Sequence, residues 1–202
     1  MRTSLKTIVL LICALIFVVN TSNGQEAGKR ALENDIRDLY GGNALVQSQA
    51  IRRLVNAGSR AIPLLVHVIC DTKRSGFEDA WPSAAKALGE LKAEAAAPCL
   101  LHLLITNVPP GVGSVIMKSD ATLEEVDPAF AALAQIGAPG VPAIRHLLPL
   151  LYPDQAIVAI RVLKSINTPD AREAAEAYVR FLEQQLKVAN QEIEGFASKP
   201  VH

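Results

Sequence analysis

Leu133 to Leu148 reads LAQIGAPGVPAIRHLL, and this stretch decides the fold. An apolar helix runs to Ile136, a turn of Gly137-Ala138-Pro139-Gly140 breaks it, and Pro142 opens a second apolar helix. Proline suits that place because its missing N–H would be unpaired there anyway. The same plan recurs at Leu54 to Ile69 (LVNAGSRAIPLLVHVI) and at Leu88 to Leu104 (LGELKAEAAAPCLLHLL). In each copy a histidine stands four residues after the proline: His67, His102 and His146. A degenerate fourth copy, Leu163 to Ala177 (LKSINTPDAREAAEA), puts Arg172 in the proline position and Glu176 in the histidine position. Self-similarity of this kind is the signature of a stacked-helix array, and such arrays present extended binding surfaces.

Helical periodicity extends outward from the repeats. Leu32, Ile36, Leu39 and Tyr40 form one face of a first helix, stopped by Gly41-Gly42. Leu45, Ile51, Leu54 and Val55 lie on a second helix ending near Gly58. Pro63, Pro98 and Pro142 open the second member of three hairpins, and the last pair covers Pro153 to Ile166 and Asp170 to about Glu194. On that final helix Ala171, Ala174, Ala175, Tyr178, Phe181, Leu182, Leu186, Ala189 and Ile193 keep helical spacing opposite a polar face, as expected of a terminal cap. No stretch alternates as a strand would. The turn positions lie 35, 44 and 30 residues apart, and the long interval holds an insertion, 107–122 (NVPPGVGSVIMKSDAT). Its Pro109-Pro110 and glycines read as loop. Its Val112, Val115, Ile116 and Met117 are either folded back onto the helices or form a contact patch for a partner.

The first 24 residues pose a separate question. Arg2 and Lys6 precede an apolar run of 13 residues, Thr7 to Val19, and Ser22 and Gly24 sit at −3 and −1 of a cleavage site before Gln25. This predicts a secretory signal peptide over 1–24, with an uncleaved anchor as the alternative. The run is short of the roughly 17–25 residues of a membrane span, so no membrane span is expected after cleavage. The rest of the chain carries 18 Lys+Arg against 20 Asp+Glu. Such near-neutrality, without basic runs, gives no footprint for nucleic acid. Of the cysteines outside the leader, Cys70 is seven residues past its proline and Cys99 only one. For helices in register that is about 9 Å of axial offset, beyond the ~7 Å reach of a disulfide. Two buried free thiols are therefore expected.

The run Leu133 to Ile144 (LAQIGAPGVPAI) resembles the turn of HEAT-type repeats, especially the short HEAT-like repeats of bacterial proteins. Ala57-Gly58 with Ala61-Ile62-Pro63, and Leu88-Gly89 with Ala97-Pro98, are similar to it in part. The resemblance covers most of Asn43 to Leu186. It implies an all-α protein: an α-solenoid of antiparallel helix pairs, about four repeats, curved right-handedly with the second helices on the concave side. The organisation it suggests is an N-terminal cap helix over 25–42 and a solenoid over 43–198 closed by a long C-terminal cap helix.

Motifs for chemistry are scarce. Gly111-Val112-Gly113-Ser114 lacks the third glycine and the strand-turn-helix setting of a dinucleotide fingerprint. There is no HExxH, CxxC pair, Walker loop or EF-hand loop. The carboxylate pairs Asp35/Asp38, Glu124/Glu125 and Glu173/Glu176 fit solvated helix faces. The histidine column admits three readings: a residue copied by duplication, a row on a binding surface, or a metal site, for which three imidazoles would need strong curvature. The sequence thus predicts an exported, periplasmic or secreted protein of a bacterial envelope, non-catalytic, without metal or other cofactor. It would bind a protein or peptide partner, with His67, His102, His146, Val112, Val115, Ile116 and Met117 as candidate contacts. The alternative is an accessory enzyme or ligand chaperone, since some HEAT-like proteins resemble chromophore lyases; a purely structural envelope protein is a third class.

Overall fold

The structure, a computed structural model, describes residues 26–41, 43–107 and 127–197. They are helical throughout, with no strand among them. The leader, the insertion residues Val112, Val115, Ile116 and Met117, and Glu124/Glu125 lie outside the described residues.

Most of the helices begin at a capping side chain or a proline; α4 does not, since Gly76 at its N-cap offers no side chain. α1 covers 26–39. α2 (Ala44–Ala57) is capped by Asn43, whose Oδ1 accepts from the N–H groups of Leu45 (3.0 Å) and Val46 (3.3 Å). α3 (Ile62–Cys70), α5 (Ala97–Asn107) and α7 (Val141–Leu147) carry their prolines at the second helical position rather than the first. The consequence is the same, because the first four N–H groups of any helix lack an internal partner. α4 spans Phe77–Glu90. α6 (Pro128–Ile136) is capped by Asp127, which accepts from Ala129 (2.8 Å) and Phe130 (3.2 Å). α8 covers Pro153–Ile166, and α9 covers Pro169–Ala197 with Thr168 Oγ1 accepting from Ala171 N (3.2 Å).

The helices pack in two successions. α2 lies against α4, α4 against α6 and α6 against α8; α3 lies against α5, α5 against α7 and α7 against α9. Diagonal contacts, α3 with α4 and α5 with α6, tie the two layers together. The leucine column sits at the centre: Leu54, Leu88, Leu133 and Leu163 are all buried. Four residues after each, the backbone turns to positive φ: Gly58 (64°), Lys92 (50°), Gly137 (71°) and Asn167 (51°). The repeat frame therefore reappears in the backbone, including the fourth copy, which has no turn proline. In the second copy the turn residue is Lys92, not Gly89.

Gly89 does a different job. It lies inside α4, and a Cβ there would come 2.6 Å from Gln135 Oε1 and 3.0 Å from the Ala132 Cα. Its absence lets α4 and α6 approach closely at Ala132, which is buried. α1 is fastened by polar links. Gln47 Nε2 donates to the carbonyls of Leu39 (2.9 Å) and Asp79 (3.2 Å). Asp35 and Asp38, expected as solvated acids, instead hold Arg53 in a fork (Nε–Oδ1 2.6 Å, Nη2–Oδ2 3.0 Å). Arg53 is half-exposed, so the pair orients α1 more than it stabilises it. The Arg74 guanidinium lies over the Tyr40 ring, 4.3 Å from its centroid.

Candidate functional site

α3, α5 and α7 each bury one stripe and leave one face outward. Counting from the proline, positions +2 and +6 are buried in all three: Leu65 and Ile69, Leu100 and Leu104, Ile144 and Leu148. Position +4 is exposed in all three, so His67, His102 and His146 face out rather than packing at the stripe edge. They sit on consecutive helices of one layer. Glu176, the residue in the fourth copy, is exposed on α9 and lies 3.9 Å from Arg180.

Cys70 and Cys99 form a disulfide, with Cα atoms 5.5 Å apart. This overturns the expectation of two buried free thiols. Counting residues from the proline assumed that α3 and α5 lie in register. In the structure the last residue of α3 meets the third residue of α5, so the two helices are joined end to start. Nor is the bond deep: Cys70 is exposed and Cys99 half-buried.

The disulfide lies in the wall of a groove of about 290 Å³. Ile69 and Cys70 come from α3, Cys99, His102 and Ile105 from α5, and Leu147 from α7, with Leu151 beyond it. The groove is thus mostly apolar, with one imidazole on its rim. A second hollow of about 530 Å³ shares Ile105 and continues to Tyr152, Asp154, Gln155 and Val158 at the start of α8. Leu150 and Tyr152, beside this strip, are among the most exposed large apolar side chains described.

Of the sequence candidates, His102 lines the groove, while His67 and His146 stand outside it. Among the described residues no three His, Cys, Asp or Glu side chains come together in a way that could hold a metal ion. Sequence reasoning missed Cys70, Cys99, Ile105, Leu147 and Leu151 as groove residues. Their signal was present only in the apolar positions that follow each proline, where a core residue and a groove residue look alike. Among the described residues no helix is long and apolar enough to cross a membrane. No family model matches the chain, and no curated protein matches its sequence.

Proposed function

We propose that this chain is an exported, non-catalytic scaffold of the HEAT-like type that binds a protein or peptide segment along its second-helix layer. The observation that carries this reading is the apolar groove crossing α3, α5 and α7, open to solvent and sharing Ile105 with the hollow at α8. An extended peptide with spaced apolar side chains fits such a strip, and His102 offers it a polar contact. Two further findings support the architecture: the layered succession of helices, and the positive-φ residue recurring four positions after each buried leucine. Export is supported by the leader pattern and by the disulfide, since such bonds persist in oxidising compartments. The accessory-enzyme alternative called for an apolar pocket ringed by three histidines. This groove is apolar but holds one.

The test is affinity capture from the native envelope fraction, run in parallel with Ile105→Glu, Leu151→Glu and His102→Gln. A partner retained by the unaltered protein should be lost with either glutamate variant and weakened by His102→Gln. The triple change His67→Gln, His102→Gln and His146→Gln should do no more than His102→Gln alone. Capture indifferent to all of these would remove the groove from consideration and move the search to the segment containing Val112, Val115, Ile116 and Met117.

A further inference from the structure

The C-terminal half of α9 carries an apolar seam that no described residue covers. The first half is packed: Ala171, Ala174 and Tyr178 are buried, and Tyr178 stacks on Phe181 with ring centroids 6.1 Å apart. From Leu182 to Glu194 every residue is exposed, roughly 20 Å of helix at 1.5 Å per residue. Helices of this length are marginal in water on their own, and one meant to stand in solvent is polar all round. This one is not: Val179, Leu182, Leu186 and Ile193 are 48%, 45%, 63% and 65% exposed. The terminal-cap expectation therefore holds only as far as Phe181.

The spacing identifies the occupant. Ala175, Val179, Leu182, Leu186, Ala189 and Ile193 follow one another at steps of four and three, the 3.5-residue period of a coiled coil. Val179, Leu186 and Ile193 take the a positions, and Ala175, Leu182 and Ala189 the d positions. Knobs-into-holes packing needs a partner helix with the same period. α9 of a second copy carries that period and offers such a surface. The flanks permit it. Glu183 and Asn190 stand at e, Gln185 and Glu192 at g. Antiparallel pairing sets Glu183 across from Asn190 and Gln185 across from Glu192, and parallel pairing sets Gln185 across from Asn190. Neither places like charges opposite one another, the arrangement that would forbid self-pairing.

We infer that the protein self-associates through α9, the seam of Val179, Leu182, Leu186 and Ile193 closing on the same seam of a second copy as a two-stranded coiled coil. This is independent of the groove and of what binds there. The test is sedimentation velocity on the full chain, disulfide intact, from about 1 to 300 μM, where micromolar association is read. The unaltered protein should pass from monomer to dimer within that range. Leu186→Glu should shift the transition up by about tenfold or more. Ile193→Glu, further from the body, should do the same with the thermal midpoint of the body retained. Gln184→Glu adds the same charge on the outward f position and should leave the dimer intact. A chain monomeric at every concentration overturns the inference. So does a dimer that survives both Leu186→Glu and Ile193→Glu, or one that Gln184→Glu dissociates equally.

Discussion

Replacing Cys70 and Cys99 together by alanine removes the clasp between α3 and α5 without leaving a free thiol, and its effect can be worked from the structure. The two residues are 29 apart in sequence. A cross-link closing a loop of that size lowers the entropy of the unfolded chain by about 12 cal/mol/K, or about 3.5 kcal/mol at 25 °C. Cys70 is exposed and Cys99 half-buried, so the lost side-chain packing adds little to this. For a chain of this length each kcal/mol moves the melting midpoint by about 2–4 °C, giving an expected fall of about 7–14 °C. The assay is thermal unfolding of the oxidised protein, the reduced protein and the double variant, with alkylation and intact mass to count thiols. The reduced protein and the double variant should melt together, both well below the oxidised form. Two alkylated cysteines in the native protein before any reductant would refute the bond. A reduced form melting within about 2 °C of the oxidised one would refute the loop-entropy reasoning.

Four further outcomes are expected. Leu133→Ala empties a fully buried site between helices and should cost about 2–5 kcal/mol, read as a lower urea midpoint; an unchanged midpoint would show the leucine column to be misplaced. Gly137→Ala forces a side chain into φ 71°, ψ −142°, a region open in practice only to glycine, and should destabilise by about 1–3 kcal/mol. Lys92→Gly relieves a non-glycine residue at φ 50° and should stabilise by about 0.5–1 kcal/mol in the same urea assay, so a loss would contradict the turn assignment. Tyr40 supplies a pH test. Its pKa is raised above the ordinary phenol value, mainly by burial, against the opposing pull of the Arg74 guanidinium beside it. The unfolded chain therefore loses this proton first, so the contribution is present below the ordinary phenol pKa and is lost as pH rises through the folded value. Tyr40→Phe should flatten that alkaline loss in urea titrations between about pH 9 and 11, and an identical slope in both proteins would exclude Tyr40 as its source.

What the sequence made legible was whatever local chemistry decides. Pro63, Pro98, Pro142 and Pro153 mark helix starts because an open N-terminus tolerates proline's missing N–H, and α8 begins and ends where its apolar period does. The buried leucines were legible because a hairpin of apolar helices has one inner face. The relative height of neighbouring helices was not. It depends on how whole helices pack, and the misjudged Cys70 and Cys99 follow from assuming it. Gly89 and Lys92 exchanged roles for a related reason: a glycine at a helix end reads as a turn, whereas here α6 needs the space its missing Cβ leaves. Leu45 shares the periodic stripe of α2 and is nonetheless exposed, in the helix's first turn, where no described residue covers it. Groove residues such as Ile105 and Leu147 were invisible for the converse reason, being apolar at positions the period assigns to the interior.

The disulfide also divides the chain mechanically. Residues 70 to 99 enclose all of α4, the helix that touches α2, α3 and α6. Under a pulling force applied at the two ends, load passes across the sulfur bridge, and this segment cannot pay out its contour. Roughly 100 Å of extended chain stays coiled in a span whose anchor points are 5.5 Å apart. A cut by a protease between Thr72 and Gly76 would likewise leave both pieces joined. The helix at the hub of the packing is thus tethered at both ends, and it remains beside its neighbours when the rest of the chain is stretched or nicked.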